Sequence, residues 1–272
     1  MSGFAKRYGP LALVAGASEG IGAAFARELA VRGLDLVLVA RRREPLAALA
    51  ADLPTRSVIV TADLGTSDGL DAVFAATEGR EVGLVVANAA HAPVGPFVGT
   101  TTTDLERMLA VNCLAPLRLA RHYLPDMVAR GRGGLIVMSS LTGLQGSPGV
   151  ATYAATKAFG AVLAEGLWAE VRGQGVDVVA CVAGAVATPG LARAIRRQAP
   201  GTVAPEVVVE ATLRALGRRP RVVPGALMNA SAQLMTRLLP RRTAIALIGG
   251  ASRGVLGPAD SGSGRSAAEH PD

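Results

Sequence analysis

Lysine, cysteine, histidine and the aromatic residues are scarce in this sequence. Of its 28 basic residues only Lys6 and Lys157 are lysines, and the others are arginines. Two cysteines provide neither a disulfide framework nor a metal cluster, and three scattered histidines do not make a zinc site. Phe, Trp and Tyr make up 3% of the 272 residues, so the core has to be built from Ala, Val and Leu. Such a core suits closely packed helices and parallel strands better than an aromatic-rich β-sandwich.

Long apolar runs are also missing. No run of about 18 apolar residues occurs, which argues against a membrane-spanning helix. The apolar segment after Lys6 and Arg7 is short and interrupted by glycine, unlike a secretory signal, so we expect a cytoplasmic protein. The net charge of +7 is spread along the chain rather than gathered on one aromatic-studded segment. Nucleic acid is therefore the weakest candidate partner, whereas an anionic small molecule or a membrane surface stays open.

Short apolar runs alternate with longer stretches rich in Ala, Leu and Arg. The runs are continuously apolar, as in strands buried on both faces of a parallel sheet. Seven of them alternate with helices, which predicts an α/β fold with a doubly wound, seven-stranded parallel sheet in three layers. The predicted strands are 11–15, 36–40, 57–61, 84–87, 135–139, 177–182 and 221–223. The predicted helices are 20–32, 45–53, 67–77, 103–113, 116–130, 152–172 and 205–216.

The chain is predicted to be one domain with an extension. Nothing resembling a linker interrupts residues 1–225, which we expect to form one nucleotide-binding domain that carries the active site. Residues 226–256 are predicted to be an amphipathic helical extension, because Leu227, Met228, Leu234 and Leu238 recur at helical spacing. Residues 257–272 are polar and rich in breakers, which predicts a disordered tail.

A glycine-rich loop follows the first predicted strand. Its candidate binding residues, in the segment GASEGIG, are Gly16, Ser18, Glu19, Gly20, Ile21 and Gly22. Glycines let a pyrophosphate approach the free backbone N–H groups and the positive dipole end of the following helix. Because the loop lies in the first strand–turn–helix of an alternating chain, it predicts a dinucleotide site rather than a structural turn alone.

The residues after the second strand indicate which dinucleotide binds. An NAD site carries an acidic residue there to hold the ribose diol, whereas this chain has Arg41, Arg42 and Arg43. A guanidinium forks onto phosphate oxygens and suits a ribose 2′-phosphate. We therefore expect NADP(H) in preference to NAD(H), with Arg41 and Arg42 at the phosphate. The alternative is that these arginines are a solvated charge run.

Ser140, Tyr153 and Lys157 form a second constellation. Tyr153 and Lys157 are four residues apart on a predicted helix and share a face, and the preceding strand ends at Ser139 and Ser140. A neighbouring ammonium favours the phenolate and lowers the pKa of a tyrosine. Such a tyrosine can exchange a proton with a carbonyl or carbinol oxygen that a serine hydroxyl orients. The set predicts hydride transfer to or from a nicotinamide, in a reaction that needs no metal ion.

Taken together, these motifs make the sequence resemble the short-chain dehydrogenase/reductase family, in its single-domain branch. The resemblance runs from about residue 11 to 225. It rests on the glycine loop, Asp63-Leu64, Asn88-Ala89-Ala90, Asn112, Ser139-Ser140, Tyr153 with Lys157, and residues 183–188. The letters ANAA at 87–90 replace the family's usual NNAG, and Ala183 replaces its usual proline.

The resemblance implies a role for each marker. Tyr153 would be the general acid/base, Ser140 the catalytic serine, and Lys157 would hold the nicotinamide ribose and lower the pKa of the tyrosine. Asn112 would hold a water in the proton relay behind Lys157. Asp63 and Leu64 would flank the adenine of the cofactor. Asn88 would steady the central sheet beside the cofactor, and Ala89 would bind there too. Thr188 and the backbone at Val186 would contact the nicotinamide amide and phosphate. The family also implies a homodimer or homotetramer formed through helices 116–130 and 152–172.

The substrate is expected over the carboxyl ends of the strands. Segments 92–97 and 141–148 and the residues after Thr188 are largely apolar; their candidate lining residues are Val94, Phe97, Leu141, Leu144, Leu191 and Ile195. This composition favours a hydrophobic ketone, aldehyde or alcohol. Three arginines also follow Thr188, namely Arg193, Arg196 and Arg197, and we interpret them as a solvated face rather than an acid-binding site.

The apolar stripe at 227–242 leaves three alternatives. With Arg237, Arg241 and Arg242 it could lie on the inner membrane face, cover the substrate pocket or pair with another subunit. A lone apolar stripe is more often buried in protein, so peripheral membrane contact is the minor alternative.

Three functions compete for the whole chain. The leading prediction is an NADP(H)-dependent oxidoreductase that interconverts a hydrophobic ketone or aldehyde and its alcohol. The alternative from another class is a catalytically silent NADP(H)-binding regulatory or scaffold protein. The intact serine, tyrosine, lysine and asparagine set argues against it, because a non-enzyme does not need a proton relay. A nucleotide-sugar epimerase or dehydratase is disfavoured, since too few residues follow the last strand to form a larger substrate domain.

Overall fold

The computed structural model of the chain describes residues 3–194 and 201–255. The predictions for Ile195, Arg196, Arg197 and the tail at 257–272 lie outside these residues. None of the helices described combines the length and the apolar composition needed to cross a membrane.

Seven parallel strands form one sheet, which confirms the predicted fold class. They are β1 (Leu11–Ala15), β2 (Asp35–Ala40), β3 (Ser57–Thr61), β4 (Val82–Ala87), β5 (Gly133–Ser140), β6 (Val176–Ala183) and β7 (Arg221–Val222). Their spatial order is β3-β2-β1-β4-β5-β6-β7, and every neighbouring pair is parallel. The winding therefore reverses between β1 and β4, where open α/β sheets form a crevice at their carboxyl ends.

Helices cover both faces of the sheet. They are α1 (Gly3–Tyr8), α2 (Gly20–Val31), α3 (Arg43–Ala51), α4 (Ser67–Thr77), α5 (Thr102–Leu109), α6 (Ala115–Ala129), α7 (Ala151–Val171), α8 (Pro189–Ala194), α9 (Pro205–Ala215), α10 (Ala226–Gln233) and α11 (Arg241–Val255). A π-helical turn, Ala110–Leu114, joins α5 to α6, so the helix predicted at 103–113 is interrupted. The short helices α1 and α8 were not predicted, whereas α10 and α11 lie within residues 226–256, the predicted helical extension.

Two apolar clusters fill the space on either side of the sheet. Alternate residues of the central strands face opposite ways: Val14 belongs to the cluster under α2, α3 and α9, whereas Leu13 belongs to the cluster under α4, α6 and α7. The structure thus has the three predicted layers. Strand β4 begins two residues earlier than predicted, because Gly83 interrupts the apolar run. Glycine is required there, since a Cβ would lie 2.4 Å from the Tyr8 carbonyl oxygen.

A buried carboxylate ties α1 to the amino-terminal edge of the sheet. Asp177, near the start of β6, accepts hydrogen bonds from the Tyr8 hydroxyl and from Arg7 Nε, both at 2.6 Å. Burial and the bond to Asp177 raise the pKa of Tyr8 well above its usual value. This cluster closes the edge of the sheet that lies opposite the candidate site.

Candidate active site

The glycine loop between β1 and α2 is held by the ends of the neighbouring strands. The Gly16 amide donates to the Val39 carbonyl on β2 at 2.8 Å. The Asn88 side-chain amide, just after β4, donates to the carbonyls of Ala15 and Gly16 at 3.2 and 3.0 Å. Gly16 has a φ of +75°, and a Cβ on it would lie 2.8 Å from Ala89 Cα. The loop can therefore adopt this path only with glycine at that position.

Gly20 and Gly22, the remaining glycines of the loop, leave the first turn of α2 accessible. A Cβ on Gly22 would lie 2.0 Å from the Gly16 carbonyl oxygen, and one on Gly20 would lie 2.9 Å from Thr188 Cγ2. Ser18 is half-buried, and Ile21 packs against the neighbouring apolar cluster. The backbone N–H groups of the first turn are thus left without side-chain cover beside Thr188. This cradle fits the pyrophosphate of a dinucleotide.

Charged residues surround the loop on the β2 and β3 side. Arg42 donates to Glu19 at 3.0 Å. Arg41 is exposed and lies near enough to Asp63 to favour its ionised form. Partial burial works against ionisation of Asp63, but the hydrogen bonds from Arg107 of α5 and the Gly65 amide, together with the charges of Arg107 and Arg41, outweigh it and lower the pKa of Asp63. The predicted adenine-flanking carboxylate is therefore already engaged in an ion pair.

Ser140, Tyr153 and Lys157 come together at the carboxyl end of β5. The Ser140 hydroxyl lies near enough to the Tyr153 hydroxyl to influence its ionisation, and it accepts a hydrogen bond from the Thr142 hydroxyl at 3.0 Å. Lys157 Nζ lies 5.5 Å from the centre of the Tyr153 ring and donates to the Met138 carbonyl at 2.9 Å. All three predicted side chains thus meet in one place.

Ser139 has a different environment from Ser140. Its hydroxyl is buried and donates to the Lys157 carbonyl at 2.7 Å, which ties β5 to the backbone of α7. Successive residues of a strand point to opposite faces, so Ser140 is the serine that can face Tyr153.

The pKa of Tyr153 differs from the expectation. Burial raises it, and the hydrogen bond with Ser140 opposes this only in part. Burial also lowers the pKa of Lys157 to about 8. The expected lowering of the tyrosine pKa by Lys157 is wrong for this structure, because desolvation dominates and the ammonium is directed to the Met138 carbonyl.

Asn112 lies in the π-helical turn and is 4% exposed. Its Oδ1 accepts from the His91 amide at 2.8 Å, and its Nδ2 donates to the His91 carbonyl at 2.9 Å and to the Thr156 hydroxyl at 3.0 Å. Thr156 in turn donates to the Tyr153 carbonyl at 2.7 Å. Asn112 therefore locks the loop after β4 to the turn of α7 that carries Tyr153.

A small recess lies behind the lysine. Leu64, Asn112 and Lys157 line it together with apolar residues of β1, β4, β5 and α6. It has room for about one water molecule. Leu64 is buried here, beside the π-helical turn rather than at the surface.

The C-terminal helices pack against the substrate side. Met228 of α10 packs so close to Gly184 that a Cβ there would lie 2.7 Å from its Sδ. Arg241, at the start of α11, donates to the Leu144 carbonyl at 3.0 Å. Ile245 lies over the next residues of the same segment. These contacts bring the predicted extension onto the segment that follows Ser140.

Val186 and Thr188 lie in the segment that follows β6. Val186 is 5% exposed and forms a parallel bridge with Val203. Thr188 accepts a hydrogen bond from the Leu191 amide at 3.1 Å through its hydroxyl. Thr188 also lies against Gly20 of the glycine loop.

Known proteins resemble this chain in sequence and fold. A family model described as short chain dehydrogenase matches residues 10–199. The chain belongs to the short-chain dehydrogenase/reductase family. It is 33% identical over 230 residues to a 7beta-hydroxysteroid dehydrogenase of Collinsella aerofaciens, covering 81% of this chain and 88% of that one.

Two solved structures of this family are similar over most of the chain. One comes from a study of 7beta-hydroxysteroid dehydrogenase stereoselectivity; its TM-score is 0.85 at 30% identity, covering 90% of this chain and 99% of that one. The other is a short-chain dehydrogenase of Sphingobium yanoikuyae in complex with NADPH, with a TM-score of 0.73 at 34% identity, covering 85% of this chain and 96% of that one. As a short-chain dehydrogenase/reductase, this chain is an NAD(P)-dependent oxidoreductase that acts on CH–OH groups.

Two residues of the site, Thr156 and Arg193, have contacts that local sequence patterns did not predict. Thr156 was not singled out, although a hydroxyl directly before Lys157 was a usable signal. Arg193 was expected on a solvated face. It is exposed, but it is also paired with Glu19, 174 residues away along the chain, and no local pattern indicates such a contact.

Proposed function

We propose that this short-chain dehydrogenase/reductase uses NADP(H) to interconvert a bulky hydrophobic ketone and its secondary alcohol, with Tyr153 as general acid/base. The observation that carries the proposal is the grouping of Ser140, Tyr153 and Lys157 beside the glycine cradle. When bound, the cofactor supplies or accepts the hydride, and the protein has to manage only the proton.

Tyr153 moves the proton at its phenol oxygen. Because burial raises its pKa, the phenol is protonated at neutral pH and suits donation to a carbonyl oxygen. Ser140 orients that oxygen, since its hydroxyl reaches Tyr153. Lys157 holds the nicotinamide ribose, and its lowered pKa of about 8 lets it exchange a proton with a water in the recess beside Asn112.

The cofactor-binding roles extend along the carboxyl edge of the sheet. Arg41 and Arg42 hold the 2′-phosphate, and the NADPH complex of the Sphingobium relative supports this preference over NAD(H). The remaining roles follow the family pattern: the glycine loop from Gly16 to Gly22 at the pyrophosphate, Asp63 and Leu64 at the adenine, Asn88 and Ala89 along the cofactor, and Val186 with Thr188 at the nicotinamide.

The substrate lies between segments 92–97 and 141–148 and the C-terminal helices. Phe97 is 60% exposed at this edge and Met228 packs behind Gly184, so the walls are apolar. Hydroxysteroids are the substrates named for the Collinsella relative. A rigid, fused-ring ketone or alcohol of that class fits such walls by hydrophobic burial.

Two surfaces support the assembly part of the proposal. Exposed apolar residues of the π-helical turn, α6 and α7, namely Leu114, Leu117, Phe159 and Val162, favour pairing of these helices in a homodimer or homotetramer.

Residues 226–256 act as an extension of the domain at 1–225 and cover the substrate. On its outer side Leu234 and Leu238 are exposed beside Arg237, which supports peripheral contact with anionic membranes. Co-sedimentation with anionic vesicles at low salt tests that contact.

Replacing Tyr153 by phenylalanine tests the reaction. Tyr153→Phe removes the proton donor and should lower kcat by a factor of about 10²–10⁴ while leaving the Kd for NADPH unchanged. The assay follows NADPH absorbance over a panel of bulky ketones and alcohols. Tyr123→Phe is the matched control, because Tyr123 is also buried but hydrogen-bonds to Thr77, away from the site. Retained turnover in Tyr153→Phe contradicts the proposal.

The cofactor preference has a separate test. Arg42→Ala should raise the Kd for NADPH about tenfold and leave that for NADH nearly unchanged, since only NADPH carries the 2′-phosphate. Equal affinity of the wild-type chain for NADH and NADPH would refute the preference.

A further inference from the structure

Glu19 joins two arginines from separate parts of the chain. It lies in the glycine loop, directly before α2, and accepts hydrogen bonds from Arg42 after β2 and from Arg193 on α8. The Glu19 side chain is 30% exposed, and those of Arg42 and Arg193 are 59% and 62% exposed. Three charged groups therefore meet at the mouth of the phosphate cradle.

The backbone brings α8 to this position. Thr188, just before α8, lies against Gly20, since a Cβ on that glycine would be 2.9 Å from Thr188 Cγ2. Ahead of Thr188, the Ala187 amide donates to the Val203 carbonyl at 2.9 Å, and the Val203 amide donates to the Ala185 carbonyl at 3.1 Å. These bonds fix the base of the segment and leave Arg193 beside the loop.

A carboxylate at this position opposes phosphate binding. The start of α2 presents backbone N–H groups and a positive dipole end, which favour an anionic ligand. Glu19 brings a negative charge to the same place, and its partners offset that charge. When an anionic ligand arrives, each arginine can exchange the carboxylate for a phosphate oxygen.

We propose that Arg193 is a cofactor-binding residue that transfers from Glu19 to the pyrophosphate, and that Glu19 weakens cofactor binding by competing for Arg193 and Arg42. The inference rests on the proposed use of NADP(H). Exposed ion pairs contribute little and exchange readily, whereas a guanidinium–phosphate contact is stronger. Arg193 lies on the Thr188 side of the loop, so it serves the pyrophosphate, which NADPH and NADH share. Arg42 lies after β2 and serves the 2′-phosphate.

The test compares cofactor affinities without substrate. Kd values for NADPH and NADH are measured by fluorescence titration with the wild-type chain, Arg193→Ala, Glu19→Gln and the double variant. Arg193→Ala should raise both Kd values by the same factor of about five to ten. Glu19→Gln should lower the Kd for NADPH about threefold and the Kd for NADH by a smaller factor, because it frees both arginines and only NADPH carries the phosphate that Arg42 serves.

Arg193→Ala and Glu19→Gln should change the Kd in opposite directions. This result distinguishes the transfer of Arg193 from Glu19 to phosphate from an ion pair that only holds the structure. If the pair only fixes α8 in place, both variants weaken binding or leave it unchanged, and the inference is overturned. An effect of Arg193→Ala on NADPH alone overturns the pyrophosphate assignment. Arg214→Ala is the control, because it removes an arginine as exposed as Arg193 from an arginine–glutamate pair on α9, and it should leave both Kd values unchanged. If the wild-type chain binds neither cofactor, the proposed function fails and the inference with it.

Discussion

The buried ammonium of Lys157 should lower the stability of the folded chain. Lys157 is 5% exposed, and burial lowers its pKa from the usual 10.5 to about 8. This difference corresponds to about 3 kcal/mol of folding free energy at neutral pH. We predict that Lys157→Met, which keeps an unbranched side chain one heavy atom shorter and removes the charge, stabilises the protein at pH 7 while abolishing turnover.

The sign of the stability difference between Lys157→Met and the wild type depends on pH. Below the folded pKa of about 8, Lys157 is charged in both states, and the folded state carries the full cost of burying the charge. Above it the folded chain loses its proton while the unfolded chain keeps one up to about pH 10.5, so wild-type stability rises with pH in this window. Replacing Lys157 by methionine leaves the Met138 carbonyl without its hydrogen bond, and this loss costs about 1 kcal/mol of stability at every pH. The variant should thus be about 2 kcal/mol more stable at pH 7 and about 1 kcal/mol less stable above pH 10.5.

Urea unfolding of both proteins between pH 7 and pH 10.5 measures this difference. Lys6→Met is the matched control, since Lys6 is the other lysine of the chain and is exposed. It should change stability by less than about 0.5 kcal/mol at any pH. A difference between wild type and Lys157→Met that does not vary with pH would refute the reasoning.

Two further substitutions test the sheet edge and the glycine cradle. Tyr8→Phe leaves the buried Asp177 without its phenol donor and should lower the free energy of unfolding by about 1–3 kcal/mol, measured in urea, with kcat unchanged. Gly22→Ala pushes a methyl group into the Gly16 carbonyl and should raise the Kd for NADPH more than about tenfold, measured by fluorescence. Gly166→Ala, on an open face of α7, is the control and should leave that Kd unchanged; equal Kd values in the two alanine variants would contradict the role of the cradle.

Local patterns in the sequence predicted the sheet because its strands are buried on both faces. Continuous apolar runs such as 36–40 indicate this burial directly, and all seven strands were found with small shifts at their ends. The two largest shifts arise at the starts of β4 and β5, which include Gly83 and Gly133, since glycine adds nothing to an apolar pattern. The helix predicted at 103–113 missed the π-helical turn because Asn112 stabilises it through bonds to distant residues.

The polar network of the site could be predicted only in part. Tyr153 and Lys157 are neighbours on one helix, so spacing was sufficient to bring them together. The direction of the tyrosine pKa was missed, because it depends on burial, which spacing does not reveal. The Glu19–Arg193 pair was missed for a related reason: it depends on how the segment after β6 returns to β1.

The strand order has a consequence for how the chain acquires its site. Strand β1 pairs with β4 about 70 residues later, and β4 then pairs with β5 after a further long connection. Closing such long loops is slow, because the chain loses entropy before the contacts between the paired strands can stabilise it. The glycine cradle needs only β1, β2 and the end of β4, whereas the Ser140–Tyr153 pair also needs β5 and α7. During folding, a chain with β1 to β4 in place would hold the phosphate cradle before any catalytic group could act on a substrate.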